Sequence, residues 1–222
     1  MNILALLLEF FEVLLIVSGT AVFWLFENAN ALRGLGVFDA FTTSLFQSIT
    51  ARTAGFNTVD FAHLQNASLL AVIFLMVIGG CPVSTSGGIK TVTFAILFLA
   101  LRALLRGNSR IEVFGRTIPF RVVISALNVF QLYMLAAILG LILVSLFNPG
   151  IPLRDVAFEC FSALSTVGLS TGITGDLSTG SKIVLCVLML VGRVGPIALV
   201  LSVFQSTGSV DYEFPEEDVV VG

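Results

Sequence analysis

Apolar residues along this chain come in long blocks, and the blocks and the polar breaks between them recur in the same order twice. The first block, residues 3–26, carries only Glu9 and Glu12 as charges. About twenty helical residues cross a hydrocarbon layer. The block therefore predicts a spanning helix, with both carboxylates toward one interface and Trp24 near the other. A polar link, Glu27 to Gly36, follows. From 37 to 51, Phe38, Phe41, Leu45, Phe46 and Ile49 recur at helical spacing against Thr42, Thr43, Ser44, Gln47 and Ser48. A helix of this length rises only about 22 Å. It predicts a segment that enters the membrane and stops, which is tolerated only where protein or water surrounds it. Thr53-Ala54-Gly55-Phe56-Asn57 comes directly after it.

A polar return (Asp60, His63, Gln65, Asn66) leads to an apolar run, 67–78. That run breaks at Gly79-Gly80-Cys81-Pro82-Val83-Ser84-Thr85-Ser86-Gly87-Gly88-Ile89-Lys90 and resumes from Thr91 to Leu105. Gly and Pro at this density end a helix, and neither flank is long enough to span alone. The stretch predicts a broken membrane helix with a small-residue loop inside. Residues 106–121 then carry Arg106, Arg110, Arg116 and Arg121, with Lys90 and Arg102 just before. By the positive-inside tendency this link faces the cytoplasm, which puts both termini inside and the Gly55 run toward the outer side.

The order then repeats. A long span covers 122–147, Pro149 and Pro152 mark a turn, and a short helix over 153–164 leads to Thr166-Val167-Gly168-Leu169-Ser170. A polar return, Thr171 to Ser181, precedes a span over 183–204 interrupted at Gly192-Arg193-Val194-Gly195-Pro196. Gly55 and Gly168 are 113 residues apart, as are Thr53 and Thr166, Thr58 and Thr171, and Gly79 and Gly192. One spacing shared by several features indicates a parallel internal duplication. The chain divides into a first repeat (1–105), a basic link (106–121), a second repeat (122–206) and an acidic tail (207–222) with Asp211, Glu213, Glu216, Glu217 and Asp218, expected to be solvated. The fold class is an all-α membrane protein of two tandem helix–short helix–loop–helix units.

Composition agrees. Hydrophobic residues make up 57% and charged residues 11% of the chain, with a mean hydropathy of +1.04. Soluble domains carry roughly one quarter charged residues, so the surroundings must be lipid. The net charge of −3 says little about partners, and no basic patch interleaved with aromatics suggests nucleic acid. Cys81, Cys160 and Cys186 lie far apart beside a single His and form no zinc-type set. The N-terminus has no basic lead and no small-residue cleavage site, so it reads as the start of a membrane helix. Catalysis is not expected: Ser84 and Ser86 have no His or Asp placed to activate them.

The chemistry concentrates in the two glycine-centred runs. Glycine takes positive φ without strain, so a short extended run turns successive carbonyls toward one axis, and a ring of carbonyls replaces the water shell of a monovalent cation. The candidate lining is Thr53, Ala54, Gly55, Phe56, Asn57, Thr166, Val167, Gly168, Leu169 and Ser170. The second run is similar to the potassium-channel filter sequence T-V-G-Y-G. The C-terminus of each short helix, about half a negative charge, would favour a cation at the same place. Arg193 is the sharpest single residue, because an arginine within an apolar span usually faces a bundle interior or a water-filled path. Of the rest, Arg52 is expected to brace the first run through Asp60 or Asp176. Lys90 suits either the loop or an interface, and His63 an exposed loop. Asn128, Gln131 and Tyr133 are candidates for hydrogen bonds between helices.

Span, half-helix, filter and span, repeated, resembles the unit of potassium channels. Phe46-Gln47-Ser48-Ile49-Thr50-Ala51-Arg52-Thr53-Ala54-Gly55-Phe56-Asn57-Thr58, Ser84-Thr85-Ser86-Gly87-Gly88-Ile89-Lys90-Thr91, Ser165 to Thr174 and Gly192 to Pro196 together resemble the Trk/Ktr/HKT potassium transporter superfamily. The closest likeness is to the third and fourth repeats of its bacterial KtrB/TrkH-type membrane subunit. The resemblance implies potassium uptake through a backbone filter, with K+ as the transported ion and Na+ leaking. It also implies an access gate made by Arg193 and the loop residues Gly79, Gly80, Ser84, Thr85, Ser86, Gly87, Gly88 and Lys90. No other metal is implied. That superfamily places four repeats around one pore and this chain has two, so the expected complement is either an N-terminal half or a second copy. A homodimer of the full subunit, a cytosolic nucleotide-binding regulatory ring and a bacterial inner-membrane location are implied by the resemblance alone. The rival reading is a non-conducting assembly half whose glycines serve only helix packing.

Overall fold

The computed structural model describes residues 3–80, 86–107, 111–113 and 116–195. Ser84, Thr85, Cys81, Pro196 and the acidic tail lie outside the described residues. The helices are α1 (Ile3–Glu27), α2 (Val37–Thr50), α3 (Asn66–Val77), α4 (Thr91–Leu105), α5 (Phe120–Phe147), α6 (Leu153–Leu164) and α7 (Thr179–Val194). Within α1, Glu9–Glu27 is long and apolar enough to cross a membrane, as is the whole of α5; α3 and α4 are shorter apolar helices. The blocks predicted over 3–26, 37–51, 67–78, 91–105, 122–147 and 153–164 return as helices within one or two residues of their expected ends. The span expected over 183–204 begins four residues earlier, at Thr179, and is not interrupted at Gly192, because α7 continues through Arg193 to Val194; residues 196–204 lie outside the described residues. The basic link also differs. There β1 (Ile111–Val113) and β2 (Arg116–Ile118) pair antiparallel, with Ile111 opposite Ile118. Both isoleucines pack on Ile96, Val123 and Ala126, which anchors the hairpin to α4 and α5. Two three-residue strands are too short for their alternation to stand out in the sequence.

Helices α1, α2 and α3 pack together, as do α5, α6 and α7; α3 also meets α6, and α4 bridges α1 and α5. The spacing recurs in two helix starts, α3 at Asn66 and α7 at Thr179, again 113 residues on. Each half closes with the same device. Glu27, fully buried at the end of α1, accepts hydrogen bonds from the Gln65 amide at 2.9 Å and from Ser68 Oγ at the start of α3. Asn148, just after α5, accepts from the Ser178 amide at 2.9 Å and donates to Ser181 Oγ at the start of α7. Gln65 and Ser178, and Ser68 and Ser181, lie at the repeat spacing. The Glu27 carboxylate also sits at a helix N-terminus, where a negative charge is favoured.

Helix α2 is amphipathic in the reverse of the soluble sense. Ser44, Gln47, Ser48 and Thr50 are buried, while Phe38, Phe41, Phe46 and Ile49 are exposed. Buried polar groups need partners, and all four side chains have at least one, although Gln47 Oε1 has none. Ser48 Oγ donates to the Ile16 carbonyl of α1 at 2.9 Å, and Gln47 Nε2 donates to Thr58 Oγ1 at 2.9 Å. A polar inside and an apolar outside fit a short helix held in apolar surroundings.

Close packing of α7 on α6 depends on Gly192. A Cβ there would lie 1.8 Å from the Leu164 carbonyl oxygen, a backbone atom that cannot move aside, whereas one on Gly175 would meet nothing within 4 Å. Gly192→Ala is therefore expected to lower stability by about 1–3 kcal/mol in thermal unfolding of detergent-solubilised protein. Gly175→Ala should leave the transition within about 0.5 kcal/mol of the parent.

Candidate functional site

Both glycine-centred runs leave their helix in the same way. Helix α2 ends at Thr50 and α6 at Leu164. Three residues after α2, Thr53 takes φ +73°, and Gly55 follows at φ +78°; Thr166 at φ +54° and Gly168 at φ +93° repeat the pattern. Thr53 and Thr166 are the only non-glycine residues with positive φ among the described residues. For a β-branched side chain that conformation is strained, and it persists only where the surroundings over-determine it. The surroundings here are hydroxyls. Thr50 Oγ1 accepts from the Phe56 amide at 2.9 Å and donates to the Phe56 carbonyl, and Ser162 Oγ donates to the Leu169 carbonyl. Phe56 and Leu169 again stand 113 residues apart.

The two runs touch. A Cβ on Gly55 would come 2.3 Å from the Val167 carbonyl oxygen, and one on Gly168 would lie 3.7 Å from the Gly55 Cα. Ala54, Phe56, Asn57 and Gly168 are exposed, whereas Val167 and Leu169 point into the core. Thr53, Ala54, Gly55, Phe56 and Asn57 are thus brought together with Thr166, Val167, Gly168, Leu169 and Ser170 at one place, beside the C-terminal ends of α2 and α6.

The described parts of the small-residue loop lie against these runs. The Gly87 amide donates to Thr166 Oγ1 at 3.0 Å, and a Cβ on Gly87 would sit 2.7 Å from the Ser165 carbonyl oxygen. Gly79 and Gly87 approach so closely that a Cβ on Gly79 would lie 2.2 Å from the Gly87 carbonyl oxygen. The Ile89 amide bonds the Val77 carbonyl at 2.9 Å, Ser86 Oγ accepts from the Gly80 amide at 3.0 Å, and Lys90 Nζ donates to the Ser86 carbonyl at 2.8 Å. Gly88 supplies the turn at φ +72°. A cavity of about 530 Å³ beside the second run is lined in part by Glu159, Thr166, Gly168, Ser170, Thr174 and Arg193. Arg193, in the last turn of α7, is therefore near the run that its sequence position suggested.

Other expectations need correction. Arg52 does not reach Asp60 or Asp176. Its guanidinium pairs instead with Glu12 of α1 at 2.7 Å. Asp60 instead accepts from the Ala62 amide at 3.0 Å, and Asp176 is exposed. Of the three polar residues on α5, only Tyr133 faces inward, its hydroxyl 2.6 Å from Ser165 Oγ, while Asn128 and Gln131 are exposed. The offset from 128 to 133 spans about 140° more than one turn, which parts them. His63 is exposed, as its loop position implied.

Glu159 is the residue that sequence reasoning missed. It is buried on α6, and its carboxylate takes hydrogen bonds from Ser170 Oγ, from the Thr171 amide at 3.0 Å and from Thr174 Oγ1 at 2.9 Å. It thus ties the exit of the second run to its helix. The clue in the sequence was a carboxylate in the apolar second half of a short helix whose other charges, Arg154 and Asp155, lie in its first turn. Glu159→Gln keeps one acceptor oxygen and gains a donor that Thr174 Oγ1 can accept from. Glu159→Ala strands three donors and should destabilise the protein by about 1–3 kcal/mol. Thermal unfolding should therefore rank parent and Gln close together, with Ala clearly below both.

The TrkH family model, described as a cation transport protein, matches residues 1–210. The chain is 36% identical over 216 residues to the potassium/sodium uptake protein NtpJ of Enterococcus hirae, covering 94% of this chain and 48% of that protein. It is 34% identical to the Ktr system potassium uptake protein B of Bacillus subtilis, covering 89% of this chain and 44% of that one. The crystal structure of the potassium transporter TrkH from Vibrio parahaemolyticus superposes with a TM-score of 0.73 at 26% identity, over 88% of this chain and 43% of that one. The chain thus spans about half the length of the relatives it matches. With a family match over nearly all of its length and the corresponding helical fold, this chain belongs to the TrkH family of membrane cation transport proteins.

Proposed function

We propose that this chain supplies two of the four repeats of a potassium uptake pathway, each built as span, short pore helix, carbonyl filter and span. The observation that carries the reading is the matched backbone of two runs in contact. Thr53/Gly55 and Thr166/Gly168 share one pair of positive φ values, and Gly55 packs on the Val167 carbonyl. Carbonyls so arranged can stand in for the hydration of a monovalent cation, and the C-terminal ends of α2 and α6 add negative potential at the same place. Relatives described as potassium or potassium/sodium uptake proteins support K+ as the preferred ion with Na+ as a weaker one. The loop from Gly79 to Lys90, including Ser84 and Thr85, is the access gate, and Arg193 the electrostatic barrier beside it. The remaining repeats come from an N-terminal half or a second copy. The complete subunit works as a homodimer with a cytosolic nucleotide-binding ring, in a bacterial inner membrane with both termini cytoplasmic.

A second reading is favoured by one specific observation. Gly55 approaches the Val167 carbonyl closely enough that a Cβ would lie 2.3 Å from its oxygen, so the glycines could serve helix assembly alone. Ion flux from purified, reconstituted protein separates the two readings.

A side chain at Gly168 has space but not conformation, because the nearest atom to an added Cβ is 3.7 Å away while φ is +93°. Gly168→Ser is therefore expected to fold and to reduce potassium-over-sodium discrimination by about tenfold, the equivalent of about 1.4 kcal/mol. Unaltered discrimination would remove Gly168 from the filter. Arg193→Ala should raise potassium flux several-fold in the same assay; slower or unchanged flux in folded protein would make the arginine a packing residue.

A further inference from the structure

We propose that Glu12 and Arg52 form a latch that pins the two ends of the small-residue loop, Gly79–Gly80 and Thr91, beside the entry to the first glycine-centred run. This rests on the reading above that the loop controls access. Arg52 follows the C-terminus of α2 and stands one residue before the run. Its side chain is 6% exposed and that of Glu12 25%, with 2.7 Å between Nη2 and Oε1. The same Nη2 lies 3.3 Å from Thr91 Oγ1, and Thr91 Oγ1 lies 3.0 Å from the Gly79 carbonyl oxygen. A hydroxyl has one hydrogen to give. Accepting from Arg52 and donating to Gly79 uses Thr91 fully, and its 3.3 Å approach to Glu12 Oε1 is then an electrostatic neighbour contact. Thr91 opens α4 and Gly79 follows α3, so the hydroxyl pins together the two ends from which the loop springs. The Thr91 amide reinforces this by bonding the Gly80 carbonyl at 3.3 Å.

The guanidinium therefore joins α1 and the start of α4 to the exit of α2, and Thr91 extends the contact to the end of α3. The repeat-spaced positions of the second half carry no such pair. The residues 113 positions after Glu12 and Arg52 are Ser125 and Ser165, and Ser165 is held by the neutral Tyr133 hydroxyl. The ion pair occurs in the half whose helices carry the loop. An ionised pair inside a membrane helix bundle is expensive to maintain and usually marks function. Glu12 has a further consequence for ions. Without it, an uncompensated positive charge would stand beside the first run and oppose a cation there.

The test uses purified protein reconstituted in sealed lipid vesicles for potassium flux, and the same protein in lipid nanodiscs for hydrogen exchange of the amides of residues 86–91. Glu12→Gln and Arg52→Gln are both expected to speed exchange of the 86–91 amides at least tenfold, while 162–170 keep their parent rates. Glu12→Gln should in addition raise the KM for potassium several-fold, an effect that Arg52→Gln should lack. Arg52→Lys keeps the charge pair but not the reach to Thr91. It should give intermediate exchange with parent KM, and it serves if a glutamine variant fails to fold. Exchange at 86–91 that stays at the parent rate in folded variants would overturn the latch, as would a uniform rise across α1, α2 and the loop alike. If the exchange pattern appears but the parent carries no potassium, the transport reading fails and the latch stands.

Discussion

Two stretches of backbone lie against each other where Gly55 meets the Val167 carbonyl, and the geometry of the whole chain follows from making that contact possible. A side chain at Gly55 would occupy the carbonyl's place, so only glycine allows the approach. Reaching it requires each short helix to stop at a set depth and the chain to turn through positive φ at Thr53 and Thr166. Non-helical backbone at membrane depth is tolerated only where its polar groups find partners or line a wet path. The partners are visible for Phe56 and Leu169, whose carbonyls are taken by Thr50 and Ser162. On the proposed reading, carbonyls not so taken are the ones that would face an ion.

Duplication explains how one sequence meets this demand twice, and the differences between the halves show where demand differs. Glu27 and Asn148 do the same work at the ends of α1 and α5, receiving the backbone amide that opens the next apolar helix. Below the runs the halves diverge. The first is braced by the Arg52–Glu12 pair and the second by the Tyr133–Ser165 hydroxyl contact. The second run is further secured by Glu159, which has no carboxylate counterpart in the first half, where Phe46 stands at the repeat spacing. Both braces lead to the small-residue loop, one through Thr91 to Gly79 and the other through Thr166 to Gly87. The loop is therefore tied at its root by the first half and at its return by the second.

Much of this was legible in the residues because helices in apolar surroundings obey few rules. Length separated α1 and α5 from the short α2 and α6, and glycine spacing gave the duplication. The break at Gly79 followed from residue type, whereas the one expected at Gly192 does not occur, because α7 continues through Arg193 to Val194 and stops only at Gly195, which takes positive φ. What was not legible has a common cause: it depends on partners far apart in sequence. Glu12 and Arg52 lie on different elements, and nothing local to Arg52 distinguishes Glu12 from Asp60 as its acceptor. Glu159 reads as an interfacial charge until the folded chain brings Ser170 and Thr174 to it. The inward turn of the hydroxyl face of α2 could not be read from periodicity, which gives a face but not its direction. The β1–β2 hairpin is too short to carry a period at all.

The central claim is that carbonyls of the two runs coordinate a dehydrated cation, and the most direct measurement is to see the ion. Crystals of the membrane-extracted protein grown in thallous salt, a heavy stand-in for potassium, would locate it by anomalous scattering. A peak between the carbonyls of residues 53–55 and 166–168, lost when sodium replaces thallium, is expected. A well-ordered map showing both runs with no peak between them would contradict the claim.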